Sequence, residues 1–367
     1  MSVMYAAAGG GGDAVAAAML HQARAIPGSP VIATLAWDRL LIDPLPGPRG
    51  IESFTGLDAV ADGVWVVTSA TRPIPPAGST LPRLAADLNA TLLLLDPYRG
   101  VRGLAAQLAS AVSVFAATAV TVVDVGGDIT ARGDEPGLKS PTADTITLAA
   151  AAALGPIADV AVLGAGLDGE LPTPYIHERI CTAGGGYERT LTPDDVQASA
   201  TVFSWHPSEA AGALAASAEG ARGILEVRDA GLRITLTDQT PEVCSAPAAA
   251  LADSSPLACA LADTADFEQV ELVVRRVCGF TEMDIEREKA ASLGRRAPET
   301  PGADELAHRI AVFEQQAALR GIDYVSLRRL AEQVGAPRGP GFEAWRSALI
   351  REHPERYMRP LWSVRPR

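Results

Sequence analysis

Carboxylates set beside glycines recur three times in this chain, each time directly after an apolar run. Gly9-Gly10-Gly11-Gly12-Asp13 follows Tyr5-Ala6-Ala7-Ala8, and Gly126-Gly127-Asp128 follows Val122-Val123-Asp124-Val125. Gly164-Ala165-Gly166-Leu167-Asp168-Gly169-Glu170 follows Val160-Ala161-Val162-Leu163. Glycine lets backbone N–H groups come close to a ligand, and a helix that starts after such a loop offers its partly positive end. Carboxylates in the same loops can move a proton, accept from a ligand hydroxyl or amine, or hold Mg²⁺ or Mn²⁺ through oxygen. Asp168, Glu170 and Asp128 are therefore candidate catalytic groups. Gly9, Gly10, Gly11, Gly12, Asp13, Gly126, Gly127, Gly164, Gly166 and Gly169 are candidate positions for binding a substrate or cofactor. Each Asp would equally serve as the cap of its own helix or the brace of its own loop, and Asp124 inside its strand has a buried structural role open to it. Asp168-Gly169-Glu170 stands out, because capping alone does not call for two carboxylates around one glycine.

Two further segments carry chemistry. His206 lies in Ser204-Trp205-His206-Pro207-Ser208-Glu209-Ala210 and is a candidate acid/base group because its ordinary pKa is near neutrality; a surface His ahead of a proline is the alternative. Thr281-Glu282-Met283-Asp284 begins like a capped helix whose charges can close over the crevice, with Glu282 or Arg287 reaching a ligand. Gly9, Gly11 and Ala14 also satisfy a G-x-G-x-x-A dinucleotide fingerprint, with Asp38 ending the next strand as a ribose acceptor. Asp13 argues against that reading, since it brings negative charge to the turn where a pyrophosphate would sit. Cys181, Cys244, Cys259 and Cys278 form no CxxC pair, so neither a zinc knuckle nor a dithiol motif is indicated; His177 and Cys181 share a helix face, with a buried thiol as the plainer reading.

Strands and helices alternate around these loops. The pattern predicts strands near Ser2–Ala8, Pro30–Trp37, Gly63–Thr68, Thr91–Leu95, Val120–Val125 and Asp159–Leu163, with helices near Asp13–Arg24, from Leu81, at Val101–Ala116 and at Thr142–Leu154. Apolar runs with no wet face, such as Leu92–Leu95, fit parallel strands covered on both sides. The predicted fold is α/β, a doubly wound (Rossmann-like), mostly parallel sheet. A hairpin at Gly223–Val227 and Leu232–Leu236 is expected at the edge of that sheet, Ala246–Ser255 as a connection, and Leu257–Val277 and Glu282–Leu293 as helices. Ala297-Pro298-Glu299-Thr300-Pro301-Gly302 reads as a flexible joint. The expected organisation is a small-molecule-binding α/β domain over 1–296 and a C-terminal helical appendage over 303–367, packed on it through Trp345 and Trp362.

The 367 residues suffice for one large or two ordinary domains. Forty-four acidic against 31 basic residues give a net charge of −13, which opposes attraction to nucleic acid or anionic lipid. No apolar run is long enough to span a bilayer, and the N-terminus lacks a signal-peptide pattern. These features predict a soluble cytoplasmic protein with a small-molecule partner, no nucleic-acid or membrane partner, and room for a homo-oligomer. Nothing matches G-x-S-x-G, H-E-x-x-H or a phosphate-binding P-loop.

The first loop, the Gly164-x-Gly166-x-Asp168-Gly169-Glu170 loop, Ser208-Glu209-Ala210, Val227-Arg228-Asp229 and Thr281-Glu282-x-Asp284-x-Glu286-Arg287 together resemble the uncharacterised domain-of-unknown-function family 1152, over about residues 1–335. The resemblance implies one continuous domain and supplies no catalytic residues. The residues favour an enzyme on a small polar metabolite, phosphorylated or nucleotide-like, working by hydrolysis, lyase or group-transfer chemistry without a covalent nucleophile. An NAD(P)-dependent oxidoreductase and a non-catalytic metabolite-binding or scaffold protein are the alternatives.

Overall fold

The computed structural model describes residues 2–227, 231–293, 301–337 and 340–365. Five mutually parallel strands form its centre: β1 (Val3–Ala7), β2 (Val31–Leu35), β3 (Thr91–Leu95), β4 (Ala119–Val125) and β5 (Ala158–Leu163), lying side by side in the order β3-β2-β1-β4-β5. Antiparallel strands extend this sheet at both ends. Val64–Val67 and Asp58–Ala61 continue from β3, while Glu242–Pro247 and Gly186–Thr190 continue from β5. The protein is thus mixed α/β with a large sheet that is parallel at its centre.

Side-chain alternation explains why the central strands read as unbroken apolar runs. Met4 and Ala6 of β1 pack into one hydrophobic cluster, together with helices Gly100–Val114 and Pro141–Ala152. Tyr5 and Ala7 pack into another, with helices Gly11–Ala23, Leu81–Asp87 and Glu209–Ala218. Neither face of β1 is wet, so period-two polarity has no reason to appear. The helices that matter below are labelled α1 (Gly11–Ala23), α2 (Pro141–Ala152), α3 (Glu209–Ala218) and α4 (Glu282–Leu293). At the amino edge of the sheet, charge is fully paired: Arg24 donates to both carboxylate oxygens of Glu188 at 3.0 and 2.9 Å and to the Thr121 hydroxyl at 2.7 Å.

Several expectations need correction. The 223–236 hairpin does not edge the main sheet. Its strand Gly223–Val227 pairs in parallel with Tyr324–Ser326, inside a second, five-stranded sheet that ends with Leu361–Ser363 and Tyr357–Met358. The tail is therefore not purely helical. Beside helices Ala303–Leu319, Leu327–Val334 and Pro340–Glu352 it supplies three short strands, whose residues alternate between two cores: Tyr324 and Leu361 join the cluster of Leu225 and Val227, Val325 and Trp362 that of Phe313 and Leu330. The Ala246–Ser255 stretch is not a connection but the end of a sheet strand followed by helix Ala248–Asp253, and 257–277 is broken at 262–266 into helices Pro256–Leu261 and Phe267–Cys278. Asp266 caps the second of these by accepting from Gln269 N, which fixes the break. Residues 297–300 of the expected joint and 228–230 of the hairpin turn lie outside the described residues. Among the described residues no helix is long and apolar enough to cross a membrane.

Trp362 is 1% exposed in the core of the second sheet, where its indole N–H donates to Glu314 at 2.7 Å. We expect Trp362→Ala to cost about 3–5 kcal/mol in urea unfolding, whereas Leu319→Ala, at an 83% exposed position, shifts the midpoint negligibly. Equal and small effects from both would show that the tail is not packed as described.

Candidate functional site

The carboxyl ends of β1, β2 and β4, together with the loop after β5, surround one cavity of about 140 Å³. That is room for roughly ten water molecules. Eight acids line it (Asp13, Asp38, Asp124, Asp128, Asp144, Asp168, Glu209 and Glu282), against two arginines, Arg39 and Arg328. The glycine loops after β1, β4 and β5 do converge on one place, but only in part through the glycines. Gly9, Gly10, Gly11 and Gly12 line the cavity; Gly126, Gly127, Gly164, Gly166 and Gly169 do not. Gly126 shows why such residues are still required: at φ 124° its missing Cβ would stand 2.1 Å from an Asp168 carboxylate oxygen. It lets Asp168 swing against the end of β4, a packing role in place of the expected ligand contact.

Three carboxylates form the innermost group. Asp13 on α1, Asp124 at the end of β4 and Asp144 on α2 each place an oxygen within 4.8 Å of the other two. Asp13 opens onto the cavity yet lies deep beneath the surrounding chain, and this depth pushes its carboxyl up to about 7 even though it accepts from Gly9 N at 2.7 Å and Val125 N at 3.2 Å. Burial, with the nearby charges of Asp13 and Asp168 adding, holds Asp124 well above the usual carboxylate range. Burial raises Asp144 likewise, reinforced by Asp124, Asp13 and Glu282. Asp128 is raised by burial and then by Asp144, Asp124 and Asp168.

What these acids lack is a basic partner. Two other buried acids are ion-paired: Asp43 with Arg49 at 2.7 Å, and Glu226 with Arg329 at 2.8 Å and Arg320 at 2.7 Å. Among the described residues, Asp13, Asp124, Asp128 and Asp144 form no ion pair. Carboxylates gathered in this way either keep protons or take up a cation from solution.

The remaining expected site residues divide clearly. Asp168 lines the cavity and its Oδ1 accepts from Glu170 N at 2.7 Å. Glu170 does not line it; its carboxylate accepts from Lys139 N at 2.6 Å and Ser140 N at 2.9 Å and lies 2.5 Å from the Ser140 hydroxyl. It braces the loop leading into α2, away from the cavity wall where the expected catalytic role would put it. Glu282 lines the cavity while accepting from Thr142 N at 2.9 Å and Ala143 N at 3.1 Å, so it caps α2 from another element. Burial, with Glu286 adding, pushes its carboxyl up to about 7. Arg287 faces away and pairs with Glu271 at 3.0 Å. Asp38 is already occupied by Thr80 N at 3.0 Å, Thr80 Oγ1 at 2.7 Å and Ser79 Oγ at 3.1 Å. His177 and Cys181 are not among the lining residues.

His206 is not the surface histidine of the plainer alternative. It is 5% exposed, and burial, with the Arg346 charge adding, pushes its pKa down to about 3. Its Nδ1 accepts from Ser208 N at 3.3 Å, which leaves the ring hydrogen on Nε2, and Nε2 meets no partner among the described residues. Sequence reasoning missed Asp144, Arg39, Arg328 and Trp37. For Asp144 a signal existed: it is the one charged residue of Pro141–Ala152, within eight otherwise apolar or hydroxyl residues that follow an irregular loop.

The chain matches the family described as protein of unknown function (DUF1152) over residues 4–290, most of its length, and belongs to that family. The match stops short of the expected 335, so Arg328 and the rest of the tail lie beyond it. No curated protein and no solved structure matches the chain.

The raised carboxyls have a consequence for stability. Asp13 and Glu282 hold protons in the folded state up to about pH 7, whereas unfolded they release them near 3.8 and 4.5. Between those values the folded state binds more protons, so stability is full below about pH 4 as far as these groups are concerned and is lost as pH rises through 7. In metal-free buffer the melting temperature should fall by about 3 °C or more from pH 5 to pH 8, and Glu282→Gln should flatten the slope; a melting temperature that rises over this interval in wild type contradicts the assignment.

Proposed function

We propose that the protein is an enzyme acting on a small polar metabolite, with a divalent cation, Mg²⁺ or Mn²⁺, held by Asp13, Asp124 and Asp144, and that it works by hydrolysis, lyase or group-transfer chemistry. The observation carrying this reading is the trio itself: three oxygens from three separate elements, within 4.8 Å, in a cavity and without a basic partner. Hard oxygen ligands at that spacing suit Mg²⁺ or Mn²⁺, and a bound cation would supply Lewis-acid polarisation of a substrate oxygen. The chain's own residues do the rest. Asp128, whose carboxyl burial holds well above the usual range, would serve as the general acid; Asp168, fixed by the Glu170 amide, would serve as its counterpart on the same wall. The glycine loop and α1 orient an anionic group, and α4 covers the cavity through Glu286, which accepts from Trp37 Nε1 at 3.1 Å and Gly47 N at 2.6 Å.

The strand order supports a doubly wound, Rossmann-like reading of the sheet. The chain runs from β1 outward through β2 to β3, then returns to place β4 and β5 on the other side, so the winding reverses between β1 and β4. Ligands of such sheets sit outside the strand ends at that reversal, and Gly9–Asp13 and Asp124 are the residues found there. A dinucleotide cofactor is disfavoured on two counts: the acid that would hold its ribose is engaged by Ser79 and Thr80, and the cavity encloses far less than its volume.

Titration with Mn²⁺, followed by loss of the free-ion electron paramagnetic resonance signal, tests the reading. Wild type should take up one ion and Asp144→Asn should weaken uptake at least about tenfold with its melting temperature preserved; equal uptake by both sinks the cation assignment. When the metal-loaded protein is incubated with a pool of phosphorylated and polar metabolites, mass spectrometry should show a substrate consumed, and Asp168→Asn should slow that consumption by about 100-fold. Saturable binding without consumption would mark a metabolite-binding protein instead.

A further inference from the structure

Four helices begin at the cavity, and in three of them a side chain accepts from one or two amides of the first turn. Glu282 accepts from Thr142 N and Ala143 N at the start of α2. Ser208 Oγ accepts from Ala211 N at 3.3 Å at the start of α3, and Thr281 Oγ1 accepts from Asp284 N at 3.2 Å at the start of α4. The start of α1 is different. Its N-cap is Gly10, which has no side chain to offer, and the nearest carboxylate, Asp13, is turned to Gly9 N and Val125 N. Asp13 N and Ala14 N reach Gly10 O at 3.1 Å, so the amides left without a protein acceptor among the described residues are those of Gly11 and Gly12. The partial positive charge of a 13-residue helix is concentrated on these two groups.

A second, independent group faces the same point. The Nε2–H of His206 is buried and unpartnered, and it stands 3.2 Å from where a Cβ on Gly11 would lie. A buried N–H without an acceptor is costly, and an acceptor lodged between Gly11 and His206 would satisfy it. Neighbouring side chains pack so closely here that both positions require glycine: a Cβ on Gly12 would sit 2.5 Å from Ser208 Oγ, and one on Gly11 2.9 Å from Thr80 Oγ1.

We infer that this corner is the anion subsite of the cavity, where the Gly11 and Gly12 amides and His206 Nε2–H bind the oxygens of a phosphate or carboxylate carried by the substrate. The inference rests on the cation reading above and adds a constraint to it. Asp13, Asp124 and Asp144 line the same cavity, and a cation held among their ionised oxygens would attract an anion at the subsite in a way the acids alone do not. Cation and anion must therefore bind cooperatively, each raising the affinity of the other by the same factor. His206 is suited to the task because it is neutral: it donates one hydrogen bond and adds no charge that would compete with the cation.

The test is a calorimetric titration of full-length protein with inorganic phosphate, and separately with acetate, each without and with saturating MgCl₂. The fluorescence of Trp37 in the cavity wall serves as a second readout. Mg²⁺ should tighten one of the two anions at least tenfold; phosphate responding identifies a phosphate-bearing substrate, acetate a carboxylic one. His206→Leu should abolish this enhancement while Mn²⁺ uptake in the absence of anion stays as in wild type, and His206→Gln, which keeps a donor, should restore part of it. If Mg²⁺ binds but enhances neither anion, or if His206→Leu keeps the enhancement, the subsite is overturned and the cation reading stands. If phosphate binds through His206 while neither Mg²⁺ nor Mn²⁺ binds, the cation reading falls and the cooperative form of the inference falls with it.

Discussion

The structure is organised around an electrostatic liability: Asp13, Asp124, Asp128 and Asp144 are crowded at one sheet edge with no basic side chain paired to any of them. Isolated buried carboxylates are among the costliest groups a fold can contain. The surroundings answer this cost by other means. Helices α1 to α4 direct their amino ends inward, backbone amides of Gly9 and Val125 donate to Asp13, and protons stay on acids that would be ionised in water. At the opposite edge, where Glu188 and Asp159 need only be tolerated, Arg24 neutralises both. Some acids are thus given an arginine, while among the described residues Asp13, Asp124, Asp128 and Asp144 form no ion pair.

That contrast separates acids that hold the fold from acids that remain for chemistry. Glu170, Glu286 and Asp38 have their oxygens filled by amides, hydroxyls or an indole, and each ties a loop in position. Glu282 spans both groups, capping α2 while facing the cavity. The inner trio stands behind this scaffold, and its precision depends on it: without Glu170 gripping Lys139 and Ser140, the start of α2 and with it Asp144 would have no fixed position.

Much of this was legible in the sequence, and the illegible remainder has physical reasons. The apolar strands, the helices between them and the glycine loops that end the strands follow from periodicity and glycine placement, because those signals are local; that the loops meet at one cavity does not. Which acid faces the cavity is not local. Asp168 and Glu170 are two residues apart and chemically alike, yet one lines the cavity and the other braces a loop thirty residues upstream. Asp144 reads as an ordinary acid in a helix's first turn, and only the packing of α2 against β4 makes it the third member of the trio. The tail strands escaped notice because Tyr324–Ser326 and Leu361–Ser363 are three residues each, too short to display alternation.

The second sheet has an implication for the family at large. Strand Gly223–Val227 lies inside the matched region, while its neighbour Tyr324–Ser326 lies outside it. A relative that kept the first and lacked the second would present a bare row of amides and carbonyls, an adhesive margin on which strands of other molecules could nucleate. Residues 324–326 cover that row here and pass the sheet on through 361–363 to a two-residue selvage at 357–358, and any member of the family built without them must finish it by another route.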